Sequence, residues 1–169
     1  MTTKRSQLNA MSSADFVKAV GHVFEHSPWI AERAHAQRPF TSIANLHEKM
    51  CGVVTAASTD EKLALIRAHP DLVSRMAAPL TKESQSEQAA AGLTTLSDAD
   101  REAFNRYNAA YRDRFGFPFV ICARENKKDA ILSAFPRRLE NTRDAEIDTA
   151  VTEICKIARL RLLDAIEED

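Results

Sequence analysis

The sequence predicts an all-α fold, a single-domain bundle of about eight helices with one short extended apolar segment at residues 115–121. Three observations carry this. Glycine is scarce, four in 169 residues, while Ala, Leu, Glu, Arg and Asp are plentiful. Apolar residues recur at three- and four-residue spacing, and β-branched alternation is almost absent. Ser, Thr or Asn stands in front of most of these runs, where a side-chain oxygen can accept from the free amides of a first helical turn.

Ser12 or Ser13 caps a helix carrying Phe16, Val17, Val20, Val23 and Phe24. Ser27-Pro28-Trp29 is a new start, with Pro28 at the first helical position, where its missing N–H costs nothing. Thr41 or Ser42 opens a helix with Ile43, Leu46, Met50, Val53 and Val54. Thr59 starts the next, with Leu63, Ile66 and His69 on one side; Pro70 disfavours helix at His69 and ends it. After a short loop, Ser84, Glu87, Gln88 and Ala91 fall at i, i+3, i+4 and i+7, one stripe of a further helix. Ser97-x-x-Asp100 is a capping-box-like start, and Phe104, Tyr107, Asn108, Tyr111 and Phe115 follow on one face. Asn126 or Lys127 begins a shorter helix through Leu139, interrupted or kinked at Pro136. Asn141 or Thr142 begins the last, which runs to about Ile166.

The exception is residues 115–121. Phe117, Phe119 and Ile121 alternate, and Pro118 stops a helix from continuing. The backbone N–H and C=O groups there need partners in protein, water or ligand. A planar heterocycle with amide-like edges would be a good one. No repeat, low-complexity tract or long linker divides the chain, so residues 1–169 are expected to form one domain around one core. Only the ends, 1–6 and 167–169, are expected to be flexible.

Composition narrows the function. Apolar content is 44%, charged content 28% and net charge −1. That gives no electrostatic footprint for nucleic acid, and no apolar run is long enough to span a bilayer. The N-terminus is polar without a following apolar stretch, so no secretory signal is expected. Cys51, Cys122 and Cys155 are odd in number and far apart, which favours reduced thiols in a cytoplasmic setting. His22 and His26 are four apart, but no third ligand has suitable spacing. No metal is expected.

One polar set offers chemistry. His69-Pro70-Asp71-Leu72 supplies an imidazole for acid/base work at a helix end; the plainer account is a histidine bonding a carbonyl, with Asp71 a cap or turn residue. The Ser84/Glu87/Gln88 stripe is either a solvated face or, given Ala89-Ala90-Ala91-Gly92-Leu93 beside it, packed. Arg161 lies central on the apolar face of Ile154, Ile157, Ala158, Leu162 and Ala165. A buried arginine must be paired or bind an anion. It is either an ion pair to a carboxylate such as Glu87 or an anchor for a substrate carboxylate. Asn108 fits a core amide that bonds helix termini or the 115–121 backbone, and Arg138 with Asn141 fits a tie between the last two helices. A helical interaction module, with the stripe as its partner surface, is the alternative from another class.

Taken together, these residues resemble the 2-oxo-4-hydroxy-4-carboxy-5-ureidoimidazoline (OHCU) decarboxylase family, the last enzyme of urate conversion to (S)-allantoin. The likeness runs from about Leu8 to Ile166. It includes Phe24-Glu25-His26-Ser27-Pro28-Trp29, Arg38-Pro39-Phe40, His69-Pro70-Asp71-Leu72 and Ser84-x-x-Glu87-Gln88 with Ala91-Gly92-Leu93. It continues through Phe115-Gly116-Phe117-Pro118-Phe119-Val120-Ile121 and Arg138-Leu139-x-Asn141 to Lys156-Ile157-Ala158-x-x-Arg161-Leu162. Each motif is short; their joint order and spacing is specific. The resemblance implies an all-helical, cofactor-free, homodimeric lyase acting on the small molecule OHCU. It implies catalytic roles for His69 and Glu87 and substrate contacts from Ser84, Gln88 and Arg161. It also implies substrate contacts at the Pro70 turn and along Phe117, Phe119, Val120 and Ile121.

Overall fold

The computed structural model describes residues 2–73 and 80–169. Among these the chain is helical except for connections and one two-residue ladder, as the sequence predicts. The elements are β1 (Thr3–Lys4), α1 (Arg5–Leu8), α2 (Ser13–Val20), α3 (Trp29–His35), α4 (Ile43–Ala56), α5 (Thr59–Arg67), α6 (Lys82–Ala90), α7 (Asp98–Phe115), α8 (Lys128–Leu139), α9 (Arg143–Ala165) and β2 (Ile166–Glu167). Short 3-10 turns follow at Gly21–Val23 and Ala123–Glu125.

Helix starts sit where side-chain acceptors stand. Ser12, Ser42, Thr81 and Ser97 accept from the backbone N–H of Asp15, Asn45, Ser84 and Asp100. Ser58 and Glu61 close a reciprocal cap at the start of α5. Pro136 does not interrupt α8, which runs unbroken through it. The helix loses the bond that residue's N–H would have made and keeps the rest. α2 ends at Val20, earlier than its apolar pattern suggests, so His22 lies in the 3-10 turn and His26 takes φ +46° beyond it. The two do not share a helix face.

The chain divides into two compact units. The first is Met1–Leu65 with Cys155–Asp169. In it α2 packs on α3 and α3 on α4, around Phe16, Ile30, Phe40, Leu46 and Met50, all fully buried. Phe16 stacks on Phe40 at 5.5 Å between ring centroids. β1 and β2 pair in parallel, Thr3 opposite Ile166 and Lys4 opposite Glu167. Arg5 adds ion pairs to Glu168 and Asp169. Within the described residues the two chain ends thus contact each other; Met1 lies outside the described residues. Nothing in the local pattern of such short segments announces a pairing partner so far away in the chain.

The second unit is Ile66–Ile154. α7 packs against α8, and α6 against the Ala123–Glu125 turn. Gly116, at φ +78°, ends α7 in the left-handed conformation that glycine adopts without a Cβ penalty. Pro118 then holds Phe117 before it extended and keeps the helix from resuming there. These two residues place the extended segment directly after a long helix.

Candidate active site

The turn after α5 is built around His69. Its N–H donates to the Ile66 carbonyl at 3.1 Å, and its side chain is 6% exposed, an imidazole held inside the unit rather than on its surface. Three partners fix the turn from other helices. Arg112 Nε, on α7, donates to both carboxylate oxygens of Asp71 at 2.9 Å. Asn108 Nδ2, also on α7, donates to the Leu72 carbonyl at 2.8 Å. Gln88 Oε1, on α6, accepts from the Val73 N–H at 3.2 Å. Val73 carries φ +64°, a region a β-branched residue rarely occupies. Such strain is of order 1–3 kcal/mol and needs surrounding structure to hold it. The sequence leaves Asn108 to helix termini or the 115–121 backbone; the structure gives it to the His69 turn.

α6 turns its polar stripe inward. Ser84, Gln88 and Ala91 are buried and Glu87 is half-buried, so the stripe is not a solvated face. Thr81 caps this helix. Gly92, at φ +80°, turns the chain after it, and Leu93 N–H closes on the Gln88 carbonyl at 3.0 Å. Lys127 Nζ donates to the Ala90 carbonyl at 2.8 Å, fixing the helix end to the start of α8.

The extended segment is an apolar wall: Phe117, Phe119, Val120 and Ile121 are all buried. Arg138, on α8, is its scaffold. The guanidinium stands 4.2 Å above the Phe119 ring and donates to the Val120 carbonyl at 2.6 Å. Glu146 neutralises it at 2.8 Å. Tyr111 O–H and Asn141 Nδ2 bond the same carboxylate, so Arg138 and Asn141 do tie α8 to α9, with Glu146 as the knot. Glu153 Oε1 accepts from the Cys122 N–H at 3.2 Å. Among the described residues, the N–H groups of Phe119 and Ile121 have no protein partner. Buried amides of that kind are available to a ligand.

Cys122 ends this segment, beside the α6 stripe. Burial pushes its thiol up to about 11, and the carboxylates of Glu125, Glu153 and Glu87 add to the shift. This value lies above the ordinary thiol value near 9.0, so the folded protein holds this proton more tightly than the unfolded chain. That contribution to stability is intact below pH 9 and is lost as pH rises toward about 11. Tyr111 is pushed in the same direction, first by burial and then by its bond to Glu146, and adds to the loss at pH above about 10. Urea midpoints measured from pH 7 upward are expected to fall across this window. Cys122→Ala is expected to flatten the first part of the fall; an unchanged pH profile would rule out the thiol as its source.

Arg161 lies in the first unit, on α9. It is 2% exposed, and its NH2 group meets Glu25 Oε2 at 3.1 Å. Glu25 is thus a carboxylate partner of Arg161. Glu25 is itself 1% exposed, and sequence reasoning did not single it out. The signal was present: a carboxylate enclosed by Val23, Phe24 and Ser27 needs a buried cation. His69, Pro70, Ser84, Glu87, Gln88 and residues 117–121 all lie in the second unit. Among the described residues, no group of three His, Cys, Asp or Glu side chains is placed to hold a metal ion, and no helix is long and apolar enough to cross a membrane.

Comparison with known proteins gives one answer. The OHCU decarboxylase family profile matches residues 9–163. A 2-oxo-4-hydroxy-4-carboxy-5-ureidoimidazoline decarboxylase of Haloferax volcanii is 43% identical over 163 residues, covering 96% of each chain. The protein of that name from Mus musculus is 38% identical, covering 95% of this chain and 91% of its own. The crystal structure of an (S)-allantoin synthase superposes with a TM-score of 0.78 at 32% identity, over 98% of this chain and 54% of the other. With the family profile spanning most of its length and full-length relatives above 40% identity, the chain belongs to the OHCU decarboxylase family.

Proposed function

We propose that this protein decarboxylates OHCU to (S)-allantoin without a cofactor, the last step of urate degradation to allantoin. The relatives' names support the reaction. The observation that carries the site is the bond between Gln88 Oε1 and the Val73 N–H. It joins the helix bearing Glu87 to the turn bearing His69, so the two groups that chemistry requires share one rigid framework.

The carbon that loses CO2 also bears a hydroxyl and adjoins a ring C=N. That imine accepts the electron pair left when the carbon–carbon bond breaks, so the substrate supplies its own electron sink. The protein must hold the carboxylate out of the ring plane, stabilise the enediol-like intermediate and deliver a proton to one face. His69 and Glu87 act as an acid/base pair at the hydroxyl and carboxylate end. Ser84 and Gln88 orient the ureido group. The Pro70 turn and the wall of Phe117, Phe119, Val120 and Ile121 hold the ring, with the amides of Phe119 and Ile121 offered to its oxygens. Arg161 is assigned to substrate oxygens by the family resemblance, and its pair with Glu25 fixes the guanidinium's orientation. A homodimer in the cytoplasm is part of the same reading.

The test generates the unstable substrate in situ from urate with urate oxidase and hydroxyisourate hydrolase, and follows circular dichroism. Rapid growth of the (S)-allantoin signal on adding this protein is the expected result. Only slow, racemic product at the uncatalysed rate would overturn the proposal, because the spontaneous reaction has no reason to choose a face.

A further inference from the structure

The cysteines are far apart in the chain, yet two of them meet. Cys51 lies on α4 and Cys155 on α9, both within the first unit. Their side chains are neighbours and interact. His47, one turn before Cys51, is the third member: its Nε2 lies 2.7 Å from the Cys155 carbonyl and 3.2 Å from Cys51 Sγ. A carbonyl only accepts, so Nε2 carries the proton, and the ring locks the α4 sulfur against the α9 backbone. Both cysteines are part-exposed, whereas Cys122 is buried.

We infer that Cys51 and Cys155 form a thiol-modification site, which a peroxide oxidises to an intrachain disulfide joining α4 to α9. The neighbouring Cys51 side chain favours the thiolate at Cys155, whose pKa is lowered while that of Cys51 is raised. Cys155 is therefore the attacking sulfur and Cys51 the resolving one. The Cys155 thiolate attacks one peroxide oxygen, the O–O bond breaks, and hydroxide leaves and becomes water. Cys51 sulfur then attacks the Cys155 sulfenic acid, the S–O bond breaks, and the departing hydroxide takes the Cys51 proton as a second water. The two thiols lose two electrons and two protons in all, and one peroxide is reduced to two waters. His47 holds Cys51 Sγ and the Cys155 backbone on one ring nitrogen, so the two positions to be joined already sit side by side. The inference is independent of the decarboxylase reading, since it involves none of the residues assigned to that site.

The experiment treats the folded, reduced protein with graded hydrogen peroxide, blocks remaining thiols under denaturing conditions, and analyses tryptic peptides by mass spectrometry. Cleavage separates residues 50–62, bearing Cys51, from 144–156, bearing Cys155, and from 115–124, bearing Cys122. The expected product is 50–62 joined to 144–156, two hydrogens lighter than their sum and separated by dithiothreitol. It should form at least about tenfold faster than any oxidation of Cys122, whose thiol is buried and protonated. In Cys51→Ser, Cys155 should instead proceed to the sulfinic acid, having no thiol to resolve it. Wild-type protein in which the two cysteines oxidise separately, or link only between chains, would overturn the inference. So would equal rates at Cys155 and Cys122.

Discussion

His69→Ala is expected to lower kcat/KM for stereospecific decarboxylation by about 10²- to 10⁴-fold, the range typical of losing a positioned acid or base. Folding should survive. The turn is held by the Asp71 carboxylate, the Leu72 carbonyl and the Val73 amide, none of which belongs to the imidazole. The circular dichroism assay reads the activity, and a urea midpoint on the same sample reads the fold. His69→Asn is the companion variant, since it keeps a polar side chain in the buried site. A His69→Ala protein that retains full activity would remove His69 from the mechanism. Loss of activity with a collapsed midpoint would show a structural histidine instead, and His69→Asn with restored stability and no turnover would separate the two.

Glu146→Ala should have the largest effect on stability. Glu146 is 0% exposed and faces Arg138 at 2.8 Å, with Tyr111 and Asn141 on the same carboxylate. Removing it leaves a guanidinium in the interior without its countercharge, which typically costs about 3–5 kcal/mol. Glu146→Gln keeps the shape and one acceptor and should cost less, about 1–3 kcal/mol. Urea unfolding compares them. The same network holds the Val120 carbonyl, so folded Glu146→Ala protein should also turn over more slowly. A loss under 1 kcal/mol for Glu146→Ala would mean that Arg138 finds compensation elsewhere.

The helices were legible because their starts and faces are local. Ser42, Ser97 and the apolar spacing of Ile43, Leu46 and Met50 are readable within one turn of each other. Pro118 likewise marks the extended segment, and Gly116 before it makes the left-handed helix end. The site was legible residue by residue but not in its support. That Gln88 and Asn108 would grip the 69–73 turn depends on how α6, α7 and the turn pack, which no local pattern encodes. The same holds for Glu25 as the partner of Arg161 and for the meeting of Cys51 with Cys155.

The Gln88–Val73 bond has one more consequence, for selectivity. A backbone N–H only donates, so the oxygen of the Gln88 amide is the atom committed to it. The NH2 end, with two donors, is not used by that bond and can meet a bound molecule. In the proposed site Gln88 therefore asks its ligand for a lone pair. A carbonyl oxygen of a ureido group satisfies it, whereas an analogue presenting an N–H or a methyl group at the same place leaves a buried donor unanswered. Discrimination of this polarity is stronger than a difference in shape alone can give. In the proposed site one amide thus serves two ends: its oxygen helps Arg112 and Asn108 hold the strained turn, and its nitrogen is turned to the ligand.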